Sequence, residues 1–93
     1  MKIVLLDGEK ITNIGQVYDI FSKELSFPGY FGRNLDALYD CLSERSEEIG
    51  VIIVNLKLLE MALEKRIKGL LRVLNTVSGE KENFHLLIEP FQV

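Results

Sequence analysis

Three short apolar runs punctuate the chain: Ile3 to Leu6, Val51 to Val54, and Phe84 to Ile88 with His85 inside. Turn formers or charges bound each one, Asp7-Gly8 after the first, Gly50 before the second, Asn83 before the third and Pro90 after it, so they predict strands. The runs are near-continuous in hydrophobicity rather than alternating, the pattern of strands covered on both faces. Both gaps between them are long enough for helical crossovers. The expected architecture is α/β, a three-stranded parallel sheet packed with helices on both faces.

Helical periodicity fills the gaps. Asn13 and Gln16 stand at capping-box spacing, where the Asn side chain accepts an orphan amide while Gln reaches back to the cap. Ile14, Val17, Tyr18, Phe21 and Leu25 then share one face, and Gly15 weakens the helix slightly. Pro28 biases its predecessor away from helical angles and ends this helix by Ser26 or Phe27. Pro28-Gly-Tyr-Phe-Gly-Arg33 is a loop with two glycines and two aromatics that read as exposed. A second helix starts at the N-cap Asn34 and runs through Leu42 or Glu44. Leu56, Leu59, Ala62 and Leu63 predict a short third helix, and Ile67, Leu70, Leu71, Leu74 and Val77 a longer fourth one ending near Gly79.

Composition narrows the class. With 93 residues and 47% of them hydrophobic, the chain suits one domain, residues 1–93, with a single core and no room for separate catalytic and regulatory units. A mean hydropathy of +0.15 and 27% charged residues exclude a disordered chain. Eleven Lys and Arg against 14 Asp and Glu leave a net charge of -3, which lacks the basic excess that neutralises nucleic-acid phosphates. The single cysteine, Cys41, forms no intrachain bridge and points to a reducing cytoplasm. Ile3 to Leu6 is far too short for a signal-peptide core or a membrane span, so a soluble, unexported protein with no membrane partner is expected.

The charge is unevenly placed. On a 3.6-residue wheel Leu35, Leu38 and Leu42 share one face of the second helix, while Asp36, Asp40 and Glu44 line the opposite one. Like charges four apart cost a helix a few tenths of a kcal/mol each, and only Asp36, beside the positive end of the helix dipole, is compensated. From Asp36 to Glu48 five acids face one base, Arg45, a local charge of -4; from Lys57 to Arg72 five bases face two acids. Periodicity alone makes the acidic stripe a solvated helix face. Its neighbours point further: Tyr30 and Phe31 lead straight into it and Tyr39 sits at its boundary, and aromatic anchors beside a desolvatable charge are the composition of protein interfaces.

The stretch Pro28-Gly-Tyr-Phe-Gly-Arg-Asn-Leu-Asp-Ala-Leu-Tyr-Asp-Cys-Leu42 resembles the signature of barstar-type ribonuclease inhibitors, in which Pro, an aromatic pair, Gly, Asn-Leu-Asp, an aromatic and a second Asp recur. The opening strand, Asp-Gly-Glu at residues 7 to 9, Ile11, Ile14 and the Lys23-Glu24-Leu25 helix end are also similar to that family, and beyond residue 45 the likeness is one of element order and hydrophobic pattern. The resemblance implies an inhibitor rather than an enzyme, of the bacterial immunity or antitoxin type, monomeric when free and needing no cofactor. Its loop and second helix would plug the active site of a ribonuclease. The matching positions are Tyr30, Gly32, Asn34, Leu35, Asp36, Tyr39 and Asp40, with Glu44 extending the acidic stripe. A nuclease presents cationic groups to a phosphate, and a carboxylate on a rigid helix fits that place. Asp40 is the expected phosphate mimic and Asp36 a second charge, with Tyr30 and Tyr39 at the rim and Gly32 letting the loop backbone come close.

Three positions depart from the pattern. Arg33 sets a cation within the acidic surface and is expected to meet a carboxylate on a divergent partner and so to set partner choice. Glu44 and Arg45 stand where the pattern has Gly and Trp, and Thr76 stands where it is acidic, which weakens the expected part of the fourth helix in the contact. Other chemistry is poorly supported. His85 lies in a predicted buried strand and reads as a structural histidine. Cys41 reads as a packed thiol. Asp36 and Asp40 lack the further ligands of a Mg²⁺ site, so no metal is assigned and a metal-assisted hydrolase is a minor reading. Gly29-Tyr-Phe-Gly32 has the GxxG spacing of an RNA clamp, but the helix after it has the wrong charge for phosphate. The principal alternative is a small α/β interaction module that uses the same surface on another basic protein.

Overall fold

A computed structural model describes residues 1–89, and the predicted turn at Pro90 lies outside them. The chain runs β1 (Lys2–Asp7), α1 (Ile14–Leu25), α2 (Leu35–Ser43), β2 (Ile49–Val54), α3 (Leu56–Leu63), α4 (Arg66–Glu80) and β3 (Phe84–Ile88). The three strands are parallel in the order β1-β2-β3, with Val4 opposite Val51 and Val51 opposite Leu86. Val4, Leu6, Ile49, Val51, Ile53 and Phe84 turn one face of this sheet into a core shared with Val17, Phe21 and Leu25 of α1, Leu38 and Leu42 of α2, and Leu70, Leu74 and Val77 of α4.

The expectation of helices on both faces is not met. Strands that follow one another in sheet order, joined by crossovers of the same right-handed sense, carry every helix to one side. The other face stays open: Ile3, Leu5 and Leu87 are 46%, 50% and 57% exposed. Met1 and Ile3 partly cover it by lying over Gly50, where an added Cβ would come within 3.4 and 3.0 Å of their side chains. His85 is corrected by the same geometry. It alternates onto the open face, is exposed, and its Nε2 lies 2.7 Å from Glu48 Oε1. The continuous apolar runs thus reflect one buried face and one apolar but uncovered face.

The caps form largely as expected. Asn13 Oδ1 accepts from the Gln16 amide at 3.0 Å, but Gln16 Oε1 reaches one residue past the cap to accept from the Thr12 amide at 2.6 Å. Ser26, in the left-handed region at φ 52, closes α1 two residues before Pro28. Asn34 caps α2 by accepting from the Ala37 amide at 2.8 Å. At the far end of α2, Lys81 Nζ donates to the Ser43 carbonyl at 2.8 Å, placing a cation on the negative end of the dipole. Asn83 donates to the carbonyls of Arg45 and Glu47, tying the α2–β2 connection to the start of β3.

At the carboxyl ends of the strands Asp7 Oδ1 accepts from Asn55 Nδ2 and from the Glu9 amide, both at 2.9 Å. These bonds, the one from Asn55 foremost, hold the Asp7 carboxyl below its ordinary value of 3.8. A group whose pKa falls on folding stabilises above its unfolded value and loses that contribution as pH drops through the folded one. Asp7→Asn should therefore flatten the pH dependence of the urea midpoint in the window below pH 3.8 while leaving a neutral-pH loss. Gly8 packs directly under the start of α3: an added Cβ would lie 2.1 Å from the Asn55 carbonyl oxygen and 2.5 Å from the Leu59 nitrogen, both backbone atoms that cannot yield. Gly8→Ala should cost at least about 2 kcal/mol, read as a lowered urea midpoint at unchanged slope.

Candidate functional site

The site is built from the loop of residues 28–34 and the outer face of α2. Helix α2 packs on α4 through its apolar stripe. Leu35 reaches Gly69, where an added Cβ would lie 2.6 Å from Leu35 Cδ1, so a larger residue there would make the end of the Leu35 side chain move aside. Leu38 and Leu42 are buried, and Leu35 is half-buried. Leu35, expected to meet a partner, therefore spends most of its surface inside the chain. The opposite stripe, Asp36, Asp40 and Glu44, is exposed along the helix, and among the described residues none of the three carries an ion-pair partner. Four residues of helix separate successive carboxylates by about 6 Å along the axis.

The two loop aromatics part company. Tyr30 is 88% exposed. Phe31 turns inward and makes edge-to-face contacts with Phe27 at 4.9 Å and Tyr18 at 6.0 Å between ring centres. Such pairs add to the free energy of simple burial. Phe31 thus anchors the loop and leaves Tyr30 free to make contact. The Asn34 side-chain amide donates to the Gly32 carbonyl at 3.3 Å, and a Cβ on Gly32 would press within 3.2 Å of that amide nitrogen. Gly32 serves this turn into α2 besides any approach it allows.

Tyr30, Phe31, Gly32, Ala37, Asp40, Cys41 and Glu44 line a cleft of about 250 Å³. It brings together Tyr30, Gly32, Asp40 and Glu44 of the expected set, while Asp36, Asn34 and Tyr39 flank it on the same helix. A larger hollow of about 320 Å³, between β1 and α1 and lined by Leu5, Ile11 and Ile20 among others, holds none of the expected site residues. Cys41 is half-buried in the cleft wall rather than fully packed. Burial first, and then the charges of Glu44 and Asp40, push its thiol above the ordinary value.

One residue escaped the sequence reading. Glu80, near the end of α4, accepts a hydrogen bond from the Tyr39 hydroxyl at 2.6 Å, and this bond pushes the Tyr39 phenol upward. Helix α4 therefore does place a carboxylate beside the acidic face, one turn beyond the exposed Thr76 that departs from the inhibitor pattern. The spacing of Thr76 and Glu80, four apart on one helical face, was the available signal.

The cations nearest the stripe are turned away from it. Arg45 forks onto Glu47, Nε to Oε1 at 2.9 Å and Nη2 to Oε2 at 3.0 Å, with its guanidinium 5.9 Å from the Phe27 ring centre. Arg33 pairs with Asp19 on α1. Among the described residues Asp36, Asp40 and Glu44 are thus left without an ion-pair partner on a face they share with Tyr30 and Tyr39. Among the described residues no group of three or more His, Cys, Asp or Glu side chains gathers to hold a metal ion. No helix among them is long and apolar enough to cross a membrane.

An acidic helix on an α/β scaffold of this topology defines a class that the comparisons make specific. The family model described as Barstar (barnase inhibitor) matches residues 1–89, and the chain belongs to the barstar family. It is 32% identical over 91 residues to the Bacillus subtilis (strain 168) protein named "Putative ribonuclease inhibitor YrdF", with 96% of this chain and all of that protein covered. The family is one of ribonuclease inhibitors.

Cys41 reports on this surface directly. Because the thiolate is the reactive form, alkylation of Cys41 at neutral pH should be slower than that of a free cysteine and should rise with pH. Glu44→Gln removes one of the charges that raise the thiol and should speed the reaction, as a stopped reaction with iodoacetamide read by mass spectrometry will show.

Proposed function

We propose that this chain is a cytoplasmic inhibitor of a ribonuclease, and that it works by seating α2 and the preceding loop in the nuclease active site. The observation that carries this reading is the unpaired row Asp36, Asp40 and Glu44 on a helix whose other face is locked to α4. A ribonuclease must hold an RNA phosphate with cationic side chains. A carboxylate presented on rigid backbone satisfies the same donors without a bond to cleave. Asp40, on the wall of the cleft, takes the phosphate place and Asp36 supplies a second charge.

The surrounding residues serve binding in other ways. Tyr30 and Tyr39 cover the rim and exclude water, which strengthens the charge pairs they enclose. Glu80, held by Tyr39, adds a carboxylate from α4. Asn34 fixes the start of the helix, Gly32 its approach, and Leu35 its seat on α4. The carboxylates perform no bond chemistry in this reading, so the protein acts by occupancy and is not an enzyme. Such occupancy suits a bacterial immunity role, in which the chain protects a cell from a nuclease.

The second reading, an interaction module for some other basic protein, draws on the same charge pattern; the family membership favours the nuclease. Purified chain should inhibit a barnase-type ribonuclease at near one-to-one stoichiometry and leave unrelated basic proteins unbound. Asp40→Ala should weaken that binding by at least about a hundredfold, because it strands cationic groups of the nuclease in a desolvated contact. The same substitution should leave the urea midpoint unchanged or slightly raised, since it relieves repulsion within α2. Association should be fast at low salt and slow steeply as ionic strength rises, with dissociation much less affected. Equal inhibition by the variant, or an association rate indifferent to salt, would contradict the mechanism.

A further inference from the structure

Arg33 is the one cation inside the loop, and its surroundings are unusual on three counts. Its backbone lies in the left-handed region at φ 53, which side chains other than Gly, Asn and Asp seldom adopt. Its guanidinium reaches back to α1, where Nη1 pairs with Asp19 and Nη2 donates to the Gly15 carbonyl at 3.2 Å. Gly15 itself sits in the first turn of α1, where glycine weakens a helix. A Cβ there would come within 3.3 Å of Arg33 Nη2 and 3.1 Å of the capping Asn13 Oδ1. The left-handed backbone and the helical glycine are each locally unfavourable, and both are accounted for by the guanidinium contact: the glycine clears the space, and the left-handed turn aims the side chain into it. Asp19 then closes the contact.

We propose that Gly15, Asp19 and Arg33 form a clasp that fastens the binding loop to α1, making Arg33 a positioning residue that does not itself meet the nuclease. The inference rests on the reading of the loop and α2 as the inhibitory surface. Phe31 pins the middle of the loop by apolar contact, and the clasp pins the junction where the loop enters α2, one residue before the cap Asn34. Between them the loop backbone that carries Tyr30 is held before any partner arrives, so less ordering entropy is lost on binding. The clasp also neutralises and withdraws the one positive charge that would repel a basic active site.

The two ends of the clasp carry opposite charges, which supplies the test. Direct electrostatics with a basic nuclease requires Arg33→Asn to tighten binding and Asp19→Asn to loosen it. The clasp requires both to loosen it, each by about threefold to fivefold as suits an exposed ion pair, and the double variant to be no weaker than the weaker single one. Asn at position 33 tolerates the left-handed backbone, so this substitution removes the guanidinium without adding strain. Binding of the four proteins to a barnase-type ribonuclease is measured by titration calorimetry. Hydrogen exchange of the amides of residues 29–33 is followed in the free proteins, where both single variants should exchange faster. Tighter or unchanged binding by Arg33→Asn, strictly additive losses, or unchanged loop exchange would overturn the clasp. If Asp40→Ala loses binding while the Arg33 and Asp19 variants do not, the clasp alone fails. If the unaltered chain binds no ribonuclease, the proposed function fails, and the exchange rates still decide the clasp.

Discussion

The seating of α2 on α4 is the contact on which the proposed binding surface depends. Because the three strands wind in sheet order, every helix falls on one side, and α2 rests on a neighbouring helix as well as on the shared core. Its apolar stripe is spent there, with Leu35 against Gly69 and with Leu38 and Leu42 buried. What faces water is then fixed by helical geometry, and it is the row of acids. A bulkier residue at position 69 would make the Leu35 side chain move aside at this contact.

The acidic row opposes the stability of the helix that carries it. Asp40 and Glu44 lie toward the negative end of the helix dipole and repel one another at a spacing of four, and among the described residues neither has an ion-pair partner. The chain compensates at the ends instead: Asn34 caps the start, Lys81 donates to the Ser43 carbonyl near the finish, and Asn83 holds the connection that follows. Arg33 and Arg45, the cations of the loop and of the segment just after α2, are each given a carboxylate elsewhere, Asp19 and Glu47. A surface whose charges are left unsatisfied while its frame is secured fits the proposed role, in which a partner supplies the missing cations.

Much of this was legible in the sequence because it is local. The caps at Asn13 and Asn34, the stop before Pro28, the three strands and the two-sided character of α2 all follow from spacing within one element. What was not legible depends on tertiary placement. Period alone gives the strands their apolar runs but not the side of the sheet the helices choose, so the open face and the exposed His85 were missed. Tyr30 and Phe31 are adjacent aromatics of one loop, and only the position of Tyr18 and Phe27 decides that the second turns inward. Arg33 was expected to meet a carboxylate of the partner, whereas it pairs within the chain with Asp19, fourteen residues away on another element. Glu80 was overlooked because its partner, Tyr39, is 41 positions distant.

The central claim is that the carboxylates of α2 occupy the place of an RNA phosphate. The most direct measurement is competition: binding of the chain to a barnase-type ribonuclease at increasing concentrations of a mononucleotide that fills the phosphate site. If the carboxylates take that place, nucleotide and inhibitor exclude one another, and the apparent dissociation constant rises in proportion to nucleotide once the site is saturated. A dissociation constant that stays unchanged at saturating nucleotide would put the contact elsewhere on the nuclease and contradict the account.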